Sequence, residues 1–90
     1  MQDGNTKQTY AIDIDGTICT QEENYGNAKP YEERIEYFNR LFDGGHEIVY
    51  YTARGYVTGV DWRWVTLDQF KKWGVKYTRL EFGKMPADHY

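Results

Sequence analysis

The sequence of 90 residues has one cysteine, two prolines and no long apolar run. A single thiol, Cys19, excludes an intrachain disulfide framework and a zinc site built from several thiolates. The absence of a membrane-length apolar run, and of an apolar signal segment in the opening MQDGNTKQT, predicts a soluble cytoplasmic chain without a membrane partner. The net charge is −3, so the chain lacks the basic excess with which proteins bind nucleic acid through bulk electrostatics.

The composition nevertheless supports a folded core. Hydrophobic residues make up 40% of the sequence and aromatic residues 18%, which is too much for a disordered tail. The length fits one small domain and leaves no room for a second core. We expect residues 1–8 to form a flexible N-terminus and residues 9–90 to form a single domain.

Strand and helix signals alternate along this domain. Residues 9–14 and 47–52 are β-rich runs, and residues 75–82 hold a third strand signal. Apolar residues at three- and four-residue spacing predict a helix between Pro30 and Gly44, and another over residues 61–73. Connections this short require parallel strands and right-handed crossovers. The sequence therefore predicts a small Rossmann-like α/β fold, with three α/β/α layers and a parallel sheet of about three strands.

Polar residues stand at the carboxyl ends of all three predicted strands, where such sheets bind ligands. The first strand runs into DIDGT, whose Asp13 and Asp15 point to the same side if the strand continues that far. Two carboxylates there repel each other unless a cation or protons compensate. The second strand ends at Thr52, whose hydroxyl suits phosphate oxygens, and the third leads to Lys84, which supplies positive charge.

The spacing of these groups favours one shared site. The intervals from Asp15 to Thr52 and from Thr52 to Lys84 each match about one strand-helix repeat, so all three return to the same rim. Taken singly, DIDGT also fits an Asp-Gly turn, Thr52 an ordinary strand end and Lys84 a solvated charge. Arg54 and Tyr56 fit either a substrate contact or a solvated loop. Cys19 fits a small loop residue better than a nucleophile.

The set DIDGT, YTARG and Gly-Lys resembles the haloacid-dehalogenase-like (HAD) phosphatase superfamily. The stretch from Thr52 onward is similar to small capless members associated with bacterial surface-polysaccharide and sugar-phosphate metabolism. The resemblance covers residues 9–90. It implies a Mg²⁺-dependent hydrolase that cleaves phosphomonoesters through an aspartyl-phosphate. The expected substrate is a small phosphorylated metabolite, with a sugar phosphate as the expected class.

The resemblance also implies a role for each site residue. Asp13 is the implied nucleophile, and Asp15 the implied general acid and base. The Asp13 carboxylate and the Asp15 backbone carbonyl are the implied Mg²⁺ ligands. Thr52 and Lys84 complete the implied catalytic set as the groups that hold the phosphoryl oxygens. The implied substrate-binding residues are Thr52, Ala53, Arg54 and Lys84.

The sequence after Lys84 departs from the family pattern. Members usually carry an Asp four residues past the lysine, which Asp88 matches, and then an Ile-Asp-Asp that completes the Mg²⁺ site. We expect that last motif, and the C-terminal strand of the HAD core that carries it, to lie beyond residue 90. The edge of the first strand is then open to self-association or to a partner. The alternative function is a non-catalytic HAD domain that binds phosphate or a partner.

Overall fold

A computed structural model describes residues 7–54 and 59–82. Its elements follow the predicted alternation of strands and helices. They are strand β1 (Thr9–Asp13), a 3-10 turn (Tyr25–Asn27), helix α1 (Glu32–Asp43), strand β2 (Glu47–Thr52), helix α2 (Arg63–Trp73) and strand β3 (Arg79–Phe82). Most of the predicted flexible N-terminus lies outside the described residues. Gln8 is hydrogen-bonded, because its N–H donates to His46 Nδ1 at 3.1 Å.

The three strands form one parallel sheet in the order β1-β2-β3. The register places Asp13 beside Tyr51 and Thr52 beside Phe82, so neighbouring strands end close to one another. This confirms the predicted α/β class and the parallel sheet of three strands. It also confirms that the polar residues after β1 and β2 meet at one rim, as the topology of parallel strands requires.

Both helices pack on the same face of the sheet, because the ring of Tyr50 in β2 contacts both of them. Its centroid lies 6.4 Å from that of Phe38 in α1 and 5.2 Å from that of Phe70 in α2, in edge-to-face geometry. A strand residue projects to one side only, and two right-handed crossovers in the same direction place both helices on that side. The described elements therefore make two of the three predicted layers.

The core lies between this sheet face and the helices. Ile12, Ile48 and Tyr50 from the strands are buried against Ile35 of α1 and Phe70 of α2. Burying a large apolar side chain contributes about 1.5–3 kcal/mol. The Tyr50 hydroxyl is buried and has no hydrogen-bond partner among the described residues. Burial raises the pKa of this hydroxyl.

Local interactions define the two ends of α2. The helix begins two residues later than predicted, at Arg63, whose N–H donates to the Asp61 carboxylate at 3.0 Å. It ends as predicted at Gly74, which adopts a left-handed conformation with φ of 68°. Glycine tolerates this conformation without a side-chain clash.

No helix in the described part of the chain is long and apolar enough to cross a membrane.

Candidate active site

The turn after β1 is anchored in the core and presents the DIDGT motif at the sheet rim. Ile14, Ile18 and Cys19 are fully buried. The Ile18 N–H donates to Ile14 O at 3.0 Å, and the Gly16 N–H donates to Cys19 O at 2.8 Å. Gly16 has a φ of 83°, a conformation that favours glycine. The apolar residues of the turn are thus buried in the core, and its polar residues stay at the sheet rim.

Asp13 is the exposed carboxylate of this turn. β1 ends here, so the alternation of the strand does not extend to Asp15, and the two side chains have different surroundings. Partial burial raises the pKa of the Asp13 carboxyl, and repulsion from Asp15 raises it further; the Ile14 N–H and, more distantly, Arg54 act in the opposite sense. Asp13 has no ion-pair partner among the described residues, which leaves its carboxylate available to a substrate or a cation.

Asp15 forms an ion pair with a buried arginine. Arg54 Nη2 lies 2.8 Å from Asp15 Oδ1, and Arg54 Nε lies 3.1 Å from Asp15 Oδ2. The guanidinium is fully buried, and the Asp15 side chain is 11% exposed. Two parallel N–H···O bonds fix the plane and the orientation of the carboxylate as well as its position. Of the two alternatives left open for Arg54, a substrate contact and a solvated loop, the burial of its side chain excludes the solvated loop.

Thr52 is the third member of this cluster. Its fully buried hydroxyl donates to Asp15 Oδ2 at 3.2 Å and accepts a hydrogen bond from the backbone N–H of Arg54 at 3.1 Å. Ala53 lies between them and is exposed at the rim. The structure therefore brings together the predicted residues of the first two strand ends. Lys84, with Tyr56, lies outside the described residues, and its place at the rim stays a prediction.

Sequence reasoning missed two residues of α2, Thr66 and Gln69. Both are buried, and both accept hydrogen bonds from Arg54 Nη1, at 2.9 Å and 2.7 Å. The signal in the sequence is weak: two polar residues stand on the face of α2 that also carries Phe70. Buried polar side chains are normally hydrogen-bonded, so their place on this face indicates a buried polar partner without identifying it.

Cys19 lies under the same cluster and is not a nucleophile. Burial and the nearby Asp15 carboxylate raise the pKa of its thiol to about 11, although Arg54 opposes this rise. The thiolate is the reactive form of cysteine. This agrees with the interpretation of Cys19 as a small residue of the turn.

A groove of about 420 Å³ lies between α1 and α2, but it contains none of the predicted site residues. Glu32, Glu33 and Glu36 line it, with Lys72 as the only basic residue among the described residues of its wall. Lys72 already pairs with Asp68 at 3.0 Å. Excess negative charge repels a phosphorylated ligand, so the rim at Asp13 is the better candidate site.

The chain is similar to known proteins in sequence and in fold. No protein-family model matches the chain. A stretch of 53 residues is 40% identical to a phosphoglycolate phosphatase from Nitrosopumilus maritimus (strain SCM1). This stretch is 59% of the chain but only 21% of that phosphatase. A crystal structure of a structural-genomics target from Vibrio cholerae has a TM-score of 0.78 and 25% identity, and the match covers 91% of this chain and 74% of that one.

The chain shares its α/β fold with the Vibrio cholerae protein, and part of it is similar to a phosphatase. Its rim holds hard oxygen donors, and carboxylates and carbonyls are the ligands that Mg²⁺ prefers. No group of three or more His, Cys, Asp or Glu side chains that would enclose a metal ion occurs among residues 7–54 and 59–82. The Asp13 carboxylate and the Asp15 carbonyl are oxygen donors of this kind, and their role as Mg²⁺ ligands stays a prediction.

Proposed function

We propose that this chain is a Mg²⁺-dependent phosphomonoesterase that works through an aspartyl-phosphate on Asp13. One observation carries the proposal. The two carboxylates of DIDGT lie at the same rim in different surroundings, Asp13 exposed and Asp15 held by Arg54. Two carboxyl groups with different surroundings suit two different roles, as nucleophile and as acid and base.

In the proposed reaction, a carboxylate oxygen of Asp13 attacks phosphorus and the bond to the leaving oxygen breaks. Asp15 enters this step in its protonated form, gives its proton to that oxygen and so releases an alcohol. Asp15 then takes a proton from water, whose oxygen attacks phosphorus and frees Asp13 and inorganic phosphate. The proton that Asp15 gives in the first step is replaced in the second, so both carboxyl groups return to their starting states.

The Asp13 carboxylate and the Asp15 backbone carbonyl would hold Mg²⁺. When bound, the ion would supply electrostatic stabilisation of the charge on the transferred phosphoryl group. Repulsion between Asp13 and Asp15 is part of what raises the pKa of Asp13, so a cation at this position would remove an existing cost. Lys84 remains in the proposal as a further positive charge on the phosphoryl group.

The proposed substrate is a small phosphomonoester. The connection between β1 and α1 contains a three-residue 3-10 turn and no further helix or strand that would form a cap, so the rim is open on this side. The relative from Nitrosopumilus maritimus is named for phosphoglycolate, a small phosphorylated acid. A sugar phosphate remains the expected class for this chain.

We also propose that another segment or a second copy of the chain covers the free side of β1. Among the described strands β1 lies at the edge of the sheet, and an unpaired edge presents N–H and C=O groups to other chains. A mass that increases with concentration in sedimentation analysis supports a second copy. A single monomeric mass at all concentrations contradicts it.

The test of the proposed function compares Asp13→Asn with Asp68→Asn, an exposed aspartate on α2. Both variants and the wild type are assayed for p-nitrophenyl phosphate hydrolysis with Mg²⁺ and with EDTA, after circular dichroism has shown that each is folded. Asp13→Asn is expected to abolish turnover, and Asp68→Asn to preserve it. Equal rates for all three proteins would remove Asp13 from the mechanism. Phosphate binding without any wild-type turnover would support the non-catalytic alternative.

A further inference from the structure

The guanidinium of Arg54 is bonded to protein groups through all three of its nitrogens. Nε and Nη2 donate to the Asp15 carboxylate, and Nη2 also lies 3.8 Å from Cys19 Sγ. Nη1 donates to Thr66 and Gln69. A guanidinium has five N–H donors and no acceptor. In this environment each of its three nitrogens donates to a group of the protein.

The partners on α2 are themselves held in place. The Thr66 hydroxyl donates to Trp62 O at 2.8 Å, which leaves its oxygen to accept from Arg54. The Gln69 side-chain N–H donates to Tyr25 O at 2.6 Å, which orients its carbonyl oxygen toward Arg54. Each anchor thus has one bond that fixes its own orientation and one that fixes Arg54.

Aromatic side chains close the remaining side of the guanidinium. The Arg54 Cζ atom lies 4.9 Å from the centre of the Tyr25 ring, and the Tyr25 and Trp62 rings meet edge to face at 5.0 Å. The Arg54 side chain has no exposed surface. A substrate would reach it only after this packing had opened.

We infer that Arg54 is a positioning residue for Asp15 and does not bind the substrate. It connects the acid and base of the reaction to α2, through Thr66 and Gln69, and so fixes where the proton is given and taken. This inference rests on the proposed phosphatase function. It replaces the substrate-binding role predicted for Arg54 from the sequence.

The test uses two substrates that differ in their need for a proton. p-Nitrophenolate leaves readily without protonation, whereas the alkoxide of glycerol 2-phosphate must be protonated as it leaves. The variants are Arg54→Lys, which keeps the charge but loses the fork, and Gln69→Leu, which leaves the ion pair but removes an anchor. Asp68→Asn, on the exposed face of α2, is the matched control.

Both test variants are expected to lower the first-turnover rate, which precedes the water step that both substrates share, about 10–100-fold for glycerol 2-phosphate, part of the 10²–10⁴ that an acid-base group supplies. The first-turnover rate for p-nitrophenyl phosphate is expected to change little, and neither KM value is expected to rise. In an Asp15→Asn background, Gln69→Leu is expected to have no further effect on glycerol 2-phosphate. A loss of folded protein would lower both rates alike, so this pattern separates positioning from a merely structural role.

A second measurement does not depend on turnover. In the metal-free chain, the Arg54 Nε–H is expected to give a resolved, slowly exchanging NMR signal, assigned by its loss in Arg54→Lys. Gln69→Leu and Asp15→Asn are expected to shift this signal or speed its exchange, and Asp68→Asn to leave it unchanged. A fast-exchanging signal in the wild type would overturn the inference.

The outcomes separate the two proposals. If the wild type hydrolyses both esters and the variants lose both rates equally, or raise KM for both, the inference fails and the phosphatase function stands. If the wild type hydrolyses neither ester, the proposed function fails, and the role assigned to Arg54 in the reaction fails with it. Selective loss on glycerol 2-phosphate supports both.

Discussion

Thr52 Oγ1 lies 3.2 Å from Asp15 Oδ2, and the same hydroxyl accepts a hydrogen bond from the backbone N–H of Arg54 at 3.1 Å. The single O–H of Thr52 is therefore donated to a carboxylate of the protein. A phosphoryl oxygen that accepts this proton must displace Asp15 Oδ2 from it. If a substrate binds at Thr52, as the family resemblance implies, its binding is coupled to the position of Asp15 through this one hydrogen atom.

Thr52→Val tests this coupling. The substitution keeps the shape of the side chain but leaves the buried Arg54 backbone N–H without its partner and removes one hydrogen bond to Asp15 Oδ2, so we expect a loss of about 1–3 kcal/mol in the free energy of unfolding. We also expect a higher KM for p-nitrophenyl phosphate. Urea unfolding and steady-state kinetics measure the two effects. Thr52→Ser keeps the hydroxyl and should resemble the wild type; equal stability of the Val and Ser variants would contradict the prediction.

Tyr50→Phe is expected to raise the free energy of unfolding by about 1 kcal/mol, because it removes a buried hydroxyl that has no partner among the described residues. Urea unfolding measures the change. Tyr50→Leu is the control, since it loses the ring contacts with Phe38 and Phe70 and should destabilise the fold. A clear loss of stability in the Phe variant would show that the hydroxyl is hydrogen-bonded.

Cys19 is expected to resist alkylation in the folded chain. Its thiol is fully buried and has a pKa of about 11, whereas an unfolded cysteine has a pKa of about 8.5. The stability from this neutral thiol is full below the unfolded value and is lost as pH rises toward 11. Mass spectrometry after iodoacetamide treatment at pH 8 should find label only in urea-unfolded protein. Rapid labelling of the native chain would refute the prediction.

Asp13 is expected to make the metal-free chain less stable as pH rises. Its pKa is raised in the folded chain, so the stability that it contributes is full below the unfolded pKa of about 3.9 and is lost as pH rises through the folded value. Asp13→Asn should therefore remove part of the fall in Tm as pH rises above the unfolded pKa, measured with EDTA. Asp68→Asn should not do so. The effect is modest because Asp13 is exposed and solvent screens its charge.

The sequence by itself determined the secondary-structure elements and the edge of the sheet at which the polar residues meet. A β-rich apolar run predicts β2 over residues 47–52, where the structure has Glu47–Thr52, and Gly74 marks the end of α2. These signals are local: the side-chain period of a strand or helix and the backbone freedom of glycine depend on neighbours along the chain. Parallel pairing then follows from the short connections, and it brings Asp13, Asp15 and Thr52 to one edge.

Only the tertiary structure decided what those residues contact. Arg54 and Asp15 are 39 positions apart, and the sequence around Arg54 fits a solvated loop as well as a substrate contact. Its burial depends on α2, whose Thr66 and Gln69 accept hydrogen bonds from Arg54 Nη1. A buried charge needs partners from several elements at once. Which residues from distant elements meet around the charge is decided by tertiary packing. The order of residues along the chain does not show it.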